Sequence, residues 1–182
     1  VAYKPISYYA FEMLYWTGIR EGELLALTPA DFNFEKKTLR INKSYQRLEG
    51  KDIITDPKTP KSNRTIVMPD FLAIEMEDFI KSIYGIKMND RIFTISKSYL
   101  HHEMDRGAKL AGVKRIRIHG LRHSHISLLI NLGFSALAIG ERVGHEAVDI
   151  TYHYAHLFPT VQTDMAAQLE TEREALVNVR KE

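Results

Sequence analysis

Hydrophobic and polar positions along this 182-residue chain follow two different periods, and the switch between them divides it into parts. Residues 5–17 carry Ile6, Tyr9, Phe11, Met13, Leu14 and Trp16, too dense an apolar set for a surface helix, so the spacing predicts a buried helix ended by Gly18. A turn over 19–22 leads into a second short helix at 23–27, halted near Pro29. Between 31 and 69 the period falls to two. Residues 32–34, 38–44, 53–55 and 64–68 alternate or are β-branched, with turn-like stretches at 35–37, 49–51 and 57–63, and predict a small antiparallel sheet of three or four strands. Asp70, following Pro69, predicts a cap for a helix over 71–83, and residues 92–95 a short extended piece. Ser96 or Ser98 caps a helix to about 111, ended by Gly112. Beyond His119 the pattern is helical again: 121–132 stopped by Gly133, 135–143 by Gly144, a short turn at 147–153, and a last helix from about 162. The expected class is mainly α with a small antiparallel β-sheet (α+β).

Composition narrows this picture without deciding function. Hydrophobic residues make up 45% and charged residues 26%, the balance of a soluble globular domain. No apolar run approaches the roughly 18–20 residues of a membrane-spanning helix, so no membrane partner is expected. Cysteine is absent, which excludes a disulfide scaffold and thiolate metal sites and agrees with a cytoplasmic location. The net charge is only +2, but the cations cluster: Lys36, Lys37, Arg40, Lys43 and Arg47; then Lys58, Lys61 and Arg64; then Lys109, Lys114, Arg115 and Arg117. Such clusters either are solvated surface or face phosphates. The chain opens on Val1, as expected of a piece of a longer protein.

Four scattered features carry the chemistry. Arg20 stands in Thr-Gly-Ile-Arg-Glu-Gly-Glu-Leu-Leu-Ala-Leu, directly after the buried helix, and Lys58 in Asp-Pro-Lys-Thr-Pro-Lys, at the edge of a hairpin. His119-Gly-Leu-Arg122-His123 opens a helix, and Gly144-His145 precedes Tyr154 by nine positions from the histidine. Singly, each has an ordinary explanation: Arg20 as an ion-pair partner of Glu23 or Glu12, Lys58 as a loop lysine, the histidines as helix caps, Tyr154 as core. As an ordered set they resemble the catalytic domain of the tyrosine recombinases, the phage integrase family, over about residues 8–158. Thr17 to Leu27 matches the first arginine block and Lys58 the hairpin lysine. His119, Arg122 and His123 match His-x-x-Arg-His, Val143-Gly144-His145 matches Leu-Gly-His, and Thr151, Tyr154 and His156 match the closing block. Val143 replaces the usual leucine, and Gly120 stands where aspartate is frequent.

The resemblance implies the tyrosine recombinase catalytic-domain fold and site-specific recombination of double-stranded DNA through a 3′-phosphotyrosine, without metal, ATP or other cofactor. Residue chemistry agrees. Arg20 and Arg122 can clamp the non-bridging oxygens, with His119 and His145 adding hydrogen bonds. His119, with a reference pKa of about 6.5, suits a general base, and Lys58 suits the acid that protonates the leaving 5′-oxygen, with Lys61 as the alternative. Tyr154 is the expected nucleophile, preferred to Tyr152 by its distance from His145 and its neighbour His156; Asp31, Glu23 and His123 read as structural or as supports behind the catalytic groups. Two rivals are a zinc hydrolase built on His119 and His123, which lacks an acidic third ligand, and a catalytically silent DNA-binding module of the same fold. The expected layout is a catalytic domain over 1–159 and a helical tail over 160–182 that packs on its own domain or is exchanged between protomers. An N-terminal DNA-binding part of the parent protein is expected outside this stretch. The resemblance further implies a monomer when free and a homotetramer on DNA, with accessory proteins as further partners.

Overall fold

In the computed structural model, residues 5–57, 62–145 and 147–157 are described, with Ala166, Leu169, Glu170, Thr171 and Arg173 beyond them. Helix α1 (Ile6–Thr17) ends at Gly18, whose φ of 66° is the left-handed conformation that a C-terminal glycine supplies. Helix α2 (Glu21–Ala26) follows directly, starting two residues before the pattern predicts because Glu23 reaches back to the Arg20 amide. A single 3-10 turn, Pro29–Asp31, then delivers the chain to the strands.

Among the described residues five strands follow: β1 (Phe32–Asn33), β2 (Thr38–Ile41), β3 (Ser44–Leu48), β4 (Lys51–Thr55) and β5 (Arg64–Val67). They form two sheets rather than one. A three-stranded antiparallel sheet has the order β1-β2-β5, and β3-β4 is a separate hairpin closed by Glu49-Gly50, both at positive φ. The predicted strand over 38–44 is therefore broken, and its alternation shows why. Leu39, Ile41 and Tyr45 are buried, and the inward position between them falls to Lys43. Its ammonium is met by buried Asp31 at 2.6 Å, and the strand leaves the first sheet there. Asp31 is thus structural, as expected.

Helix α3 (Asp70–Ser82) is capped at Pro69, without a side-chain hydrogen bond, so Asp70 is its first residue and not its cap. Residues 92–95 pair with no strand; the Ile92 amide donates to the Leu27 carbonyl while Ile92 and Phe93 enter the core. Ser96, rather than Ser98, caps α4 (Lys97–Ala111) by accepting from the Tyr99 amide. Helix α5 (Ile118–Asn131) starts earlier than predicted, α6 (Ala136–Val143) is capped by Ser135, and the expected turn near 147–153 is a two-turn helix, α7 (Ala147–Tyr154). Of the predicted last helix, Ala166, Leu169–Thr171 and Arg173 are helical, and the rest lies outside the described residues.

Among the described residues two hydrophobic clusters result. The larger joins α1, α2, the three-stranded sheet and α3 with Phe93, Leu100 and Ile118. The smaller holds Ile126, Ile130, Ile139, Val143, Ile150 and Tyr154 from α5, α6 and α7. The candidate site lies along their junction. Among the described residues no helix is long and apolar enough to cross a membrane.

Candidate active site

Arg122 is the centre of the site. It sits in the second turn of α5 and is 2% exposed, which for a guanidinium demands partners. Two are provided by helix ends: Nη1 donates to the Gly18 carbonyl at 2.5 Å and Nη2 to the Val143 carbonyl at 2.6 Å. Gly18 and Gly144 are the left-handed C-caps of α1 and α6, so the glycines of two distant motifs end their helices where the terminal carbonyls meet one cation. A Cβ at Gly18 would lie 2.5 Å from the His125 ring, so glycine is required there on two counts. Arg122 Nε is buried without a partner. Burial and the neighbouring Arg20 press the guanidinium down to about 9, with Glu23 opposing, so it stays charged at neutral pH.

Arg20 stands at the N-cap of α2, 35% exposed, with Nη1 3.0 Å from Glu23 Oε1. The ion pair with Glu23 that its sequence context allowed is therefore formed. Glu23 is buried and also accepts both Nη groups of Arg64. Burial pushes the Glu23 carboxyl up, but Arg64 and Arg20 outweigh it and hold the carboxyl below the usual range.

Three histidines line the same region. His119 and His123, one turn apart on α5, pack edge to face with ring centres 4.8 Å apart. Burial lowers the His119 pKa, reinforced by His123, Arg122 and Arg20. His145 follows the Gly144 cap, and burial together with Arg122 and Arg20 drives it down to about 4. His123 is lowered by burial, Arg122 and His153. At neutral pH the cations of the site are thus arginines, and these imidazoles are uncharged.

Tyr154 ends α7 with its ring in the smaller core, 8% exposed, and its hydroxyl in hydrogen-bond contact with His123 Nδ1. Burial raises its pKa, with Arg122 opposing. Tyr152 is 82% exposed and its ring lies against His153. The structure therefore brings together Arg20, His119, Arg122, His145 and Tyr154, and places His123, expected as a structural or supporting residue, in contact with the Tyr154 hydroxyl. Lys58 and Lys61 lie outside the described residues. Among the described residues no group of three or more His, Asp or Glu is arranged to hold a metal ion.

Sequence reasoning missed Arg64, Arg142 and His125. Arg64 is buried at the start of β5, and its parity with inward-facing Ile66 was the available signal. Arg142, in the last turn of α6, donates to the carbonyls of Val67 and Trp16, each at 3.0 Å, and through Nε to His125 Nε2 at 3.1 Å. Buried His125 falls on the inward stripe of α5 with Ile118, Arg122 and Ile126. Its Nδ1 faces the Tyr15 main chain without a well-formed hydrogen bond.

Burial and then Arg142 push His125 down to about 4. The unfolded chain binds a proton there below about 6.5 and the folded chain does not, so folding stability is complete above about 6.5 and falls as pH drops toward 4. We expect this residue to account for roughly 2–3 kcal/mol of the loss across that window. Urea unfolding of His125→Gln at stepped pH should show a shallower slope than wild type; an unchanged slope would place the acid sensitivity elsewhere.

The described site can be set beside known proteins. Residues 3–160 match the phage integrase family. The ICEBs1 integrase of Bacillus subtilis (strain 168) is 29% identical over 174 residues, covering 88% of this chain and 47% of that protein. The integrase of Staphylococcus phage L54a is 31% identical over 179 residues, covering 88% and 51%. The chain spans about half the length of these curated relatives. Among solved structures, the Tn1549 transposon integrase in complex with circular intermediate DNA superposes with a TM-score of 0.72 at 23% identity, over 91% of this chain and 59% of that one. The XerH site-specific recombinase bound to difH substrate, a pre-cleavage complex, gives 0.64 at 22% identity, over 91% and 48%. At those identities the likeness concerns the fold. The family match is of another kind: it takes in every segment that converges on Arg122, and it places this chain in the phage integrase family.

Proposed function

We propose that this chain carries the catalytic centre of a site-specific DNA recombinase that cleaves and rejoins strands through a 3′-phosphotyrosine at Tyr154. One observation carries the reading: a buried Arg122, fixed by two helix-terminal carbonyls and keeping Nε free, beside a tyrosine whose hydroxyl meets an uncharged imidazole. The Tn1549 transposon integrase is in complex with DNA and XerH is bound to its difH substrate, and double-stranded DNA is the substrate class this site suits.

The Tyr154 oxygen attacks the scissile phosphorus, and the bond from phosphorus to the 5′-oxygen breaks. Arg122 and Arg20 answer the negative charge that grows on the non-bridging oxygens, from positions already fixed before the reaction. His145 and His119, uncharged, add hydrogen bonds. The phenol proton passes to His123 Nδ1, the nitrogen in contact with the hydroxyl, rather than to His119. The depressed pKa of His123 keeps it unprotonated and able to accept at neutral pH. The leaving 5′-oxygen takes a proton from Lys58. Attack by a 5′-hydroxyl reverses these steps and rejoins the strand; the phosphotyrosine conserves the energy of the broken bond, so neither metal nor nucleotide is consumed. Assembly as a tetramer on two DNA sites, with residues 160–182 exchanged between protomers, belongs to the same reading.

Lys58→Ala should cut poorly on ordinary DNA and recover on a strand whose 5′-bridging oxygen is sulfur, a leaving group that needs no proton. Recovery of Lys61→Ala but not of Lys58→Ala would transfer the acid to Lys61.

The test of the whole reading is a pool of nicked duplexes of randomised sequence, incubated with the chain and recovered as covalent adducts under denaturing conditions. Adducts that survive excess EDTA, with the modified peptide mapping to Tyr154, are expected. Binding without any adduct would leave a DNA-binding module instead, and adducts abolished by EDTA would favour a metal-dependent hydrolase.

A further inference from the structure

We propose that Arg64 is a positioning residue for Arg20: it neutralises Glu23 so that Glu23 can aim the Arg20 guanidinium without cancelling its charge. The inference rests on the phosphate-clamping role given to Arg20 above.

The hydrogen bonds of the two arginines differ in kind. Arg64 donates from Nε to the Arg142 carbonyl at 2.9 Å and from Nη1 to the Ser62 carbonyl at 3.0 Å. It also grips Glu23 with both arms, Nη1 to Oε1 at 3.0 Å and Nη2 to Oε2 at 2.9 Å. Its side chain is 6% exposed and that of Glu23 5%, so this fork is closed to solvent and directed wholly at protein. Arg64 is consequently no phosphate ligand.

Glu23 shares each of its oxygens between the two arginines. Oε1 accepts from Arg20 Nη1 at 3.0 Å and from Arg64 Nη1, while Oε2 accepts from the Arg20 amide at 2.8 Å and from Arg64 Nη2. The carboxylate plane is thereby fixed by Arg64, and it holds Arg20 by both main chain and side chain. Charge gives the second half of the argument. A buried carboxylate facing Arg20 alone would form a neutral pair and leave no cation for a phosphate. With Arg64 present the three groups sum to +1, and the surplus sits on Arg20, the most exposed member.

Arg64 also ties this group to the rest of the site. Its bond to the Arg142 carbonyl lies one residue before the Val143 carbonyl that receives Arg122, so two arginines from different elements cap neighbouring carbonyls at the end of α6. Ser62, two residues before Arg64, is held through its carbonyl by the same guanidinium.

The experiment uses the nicked duplex recovered by adduct formation, made with either an ordinary scissile phosphate or an uncharged methylphosphonate, and measures single-turnover cleavage at saturating protein. Arg64→Lys keeps the charge and loses the fork. It should slow cleavage of the phosphodiester by about 10- to 30-fold with affinity changed less than about 2-fold, since the defect lies in transition-state charge stabilisation. The defect should shrink to under about 3-fold on the methylphosphonate and add under about 2-fold in an Arg20→Ala background, because the two residues act as one unit. Equal losses on both linkages, or losses that multiply with Arg20→Ala, would show a merely structural role and overturn the proposal. If Arg64→Lys lacks a cooperative thermal transition, Glu23→Gln, nearly isosteric, must show the same dependence on linkage or the proposal fails. Arg20→Ala is the control on the parent reading: if its own loss is the same on both linkages, the clamp role of Arg20 is wrong, whatever Arg64 does.

Discussion

Tyr154→Phe should abolish covalent capture of DNA and leave almost everything else intact. The aromatic ring, 8% exposed, packs with Ile126, Ile130, Ile139, Val143 and Ile150, and phenylalanine keeps that packing. What disappears is the hydroxyl and its contact with His123, a net loss of about 0.5–1.5 kcal/mol for one hydrogen bond. The thermal transition should therefore stay cooperative and shift by only a few degrees. DNA affinity should change less than about 2-fold, because the arginines proposed to meet phosphate are untouched. Adduct on a nicked duplex, by contrast, should fall below detection, since the proposed nucleophile has no substitute in the described site. Tyr152 is 82% exposed on another face of α7 and would have to rotate the helix to reach Arg122. Adduct persisting in the variant and mapping to Tyr152 would relocate the nucleophile and remove the main support for the proposed mechanism.

The parts of this protein legible in its sequence are those set by local chemistry. Gly18, Gly112 and Gly144 mark helix ends because left-handed backbone is a single-residue property, and each ends a helix as expected. Arg20, His119, Arg122, His145 and Tyr154 were found through motif order, which the fold converts into one neighbourhood. What escaped depends on which way a charged side chain faces. Lys43 breaks a strand because its inward position needs Asp31, a partner twelve residues away that local pattern does not announce. Arg64 reads as one more member of a basic stretch until its parity with Ile66 is noticed, and nothing local reveals that Glu23, 41 residues earlier, is its partner. The contact of His123 with Tyr154 escaped for a similar reason: it spans 31 residues and joins two helices whose docking the sequence does not specify. Long-range polar pairs between elements are therefore the information that spacing alone does not contain.

Arg122→Lys should separate charge from geometry at the centre of the site. Lysine retains the cation, but its ammonium is one point of attachment where the guanidinium has a planar set of donors. In the wild type that plane bridges the Gly18 and Val143 carbonyls while the buried Nε has no protein partner. An ammonium has three donors on a single atom, so satisfying both carbonyls draws it toward the helix ends and away from the substrate. Reaching the phosphate instead strands one buried carbonyl, at a cost of about 1–3 kcal/mol. Either way cleavage suffers more than folding. We expect single-turnover cleavage to fall by about 10²–10³-fold, the scale of losing one preorganised donor to a developing oxyanion. DNA affinity measured in the Tyr154→Phe background should stay within about 3-fold, because one phosphate contact among many contributes little to binding. Stability should drop by no more than the cost of that one stranded carbonyl, readable as a modest fall in the urea midpoint with an unchanged slope. A lysine variant that cleaves within about 5-fold of wild type would mean that charge alone suffices at this position. The two glycine-capped helix ends would then serve folding and not catalysis, and the assignment of the centre to Arg122 would fail.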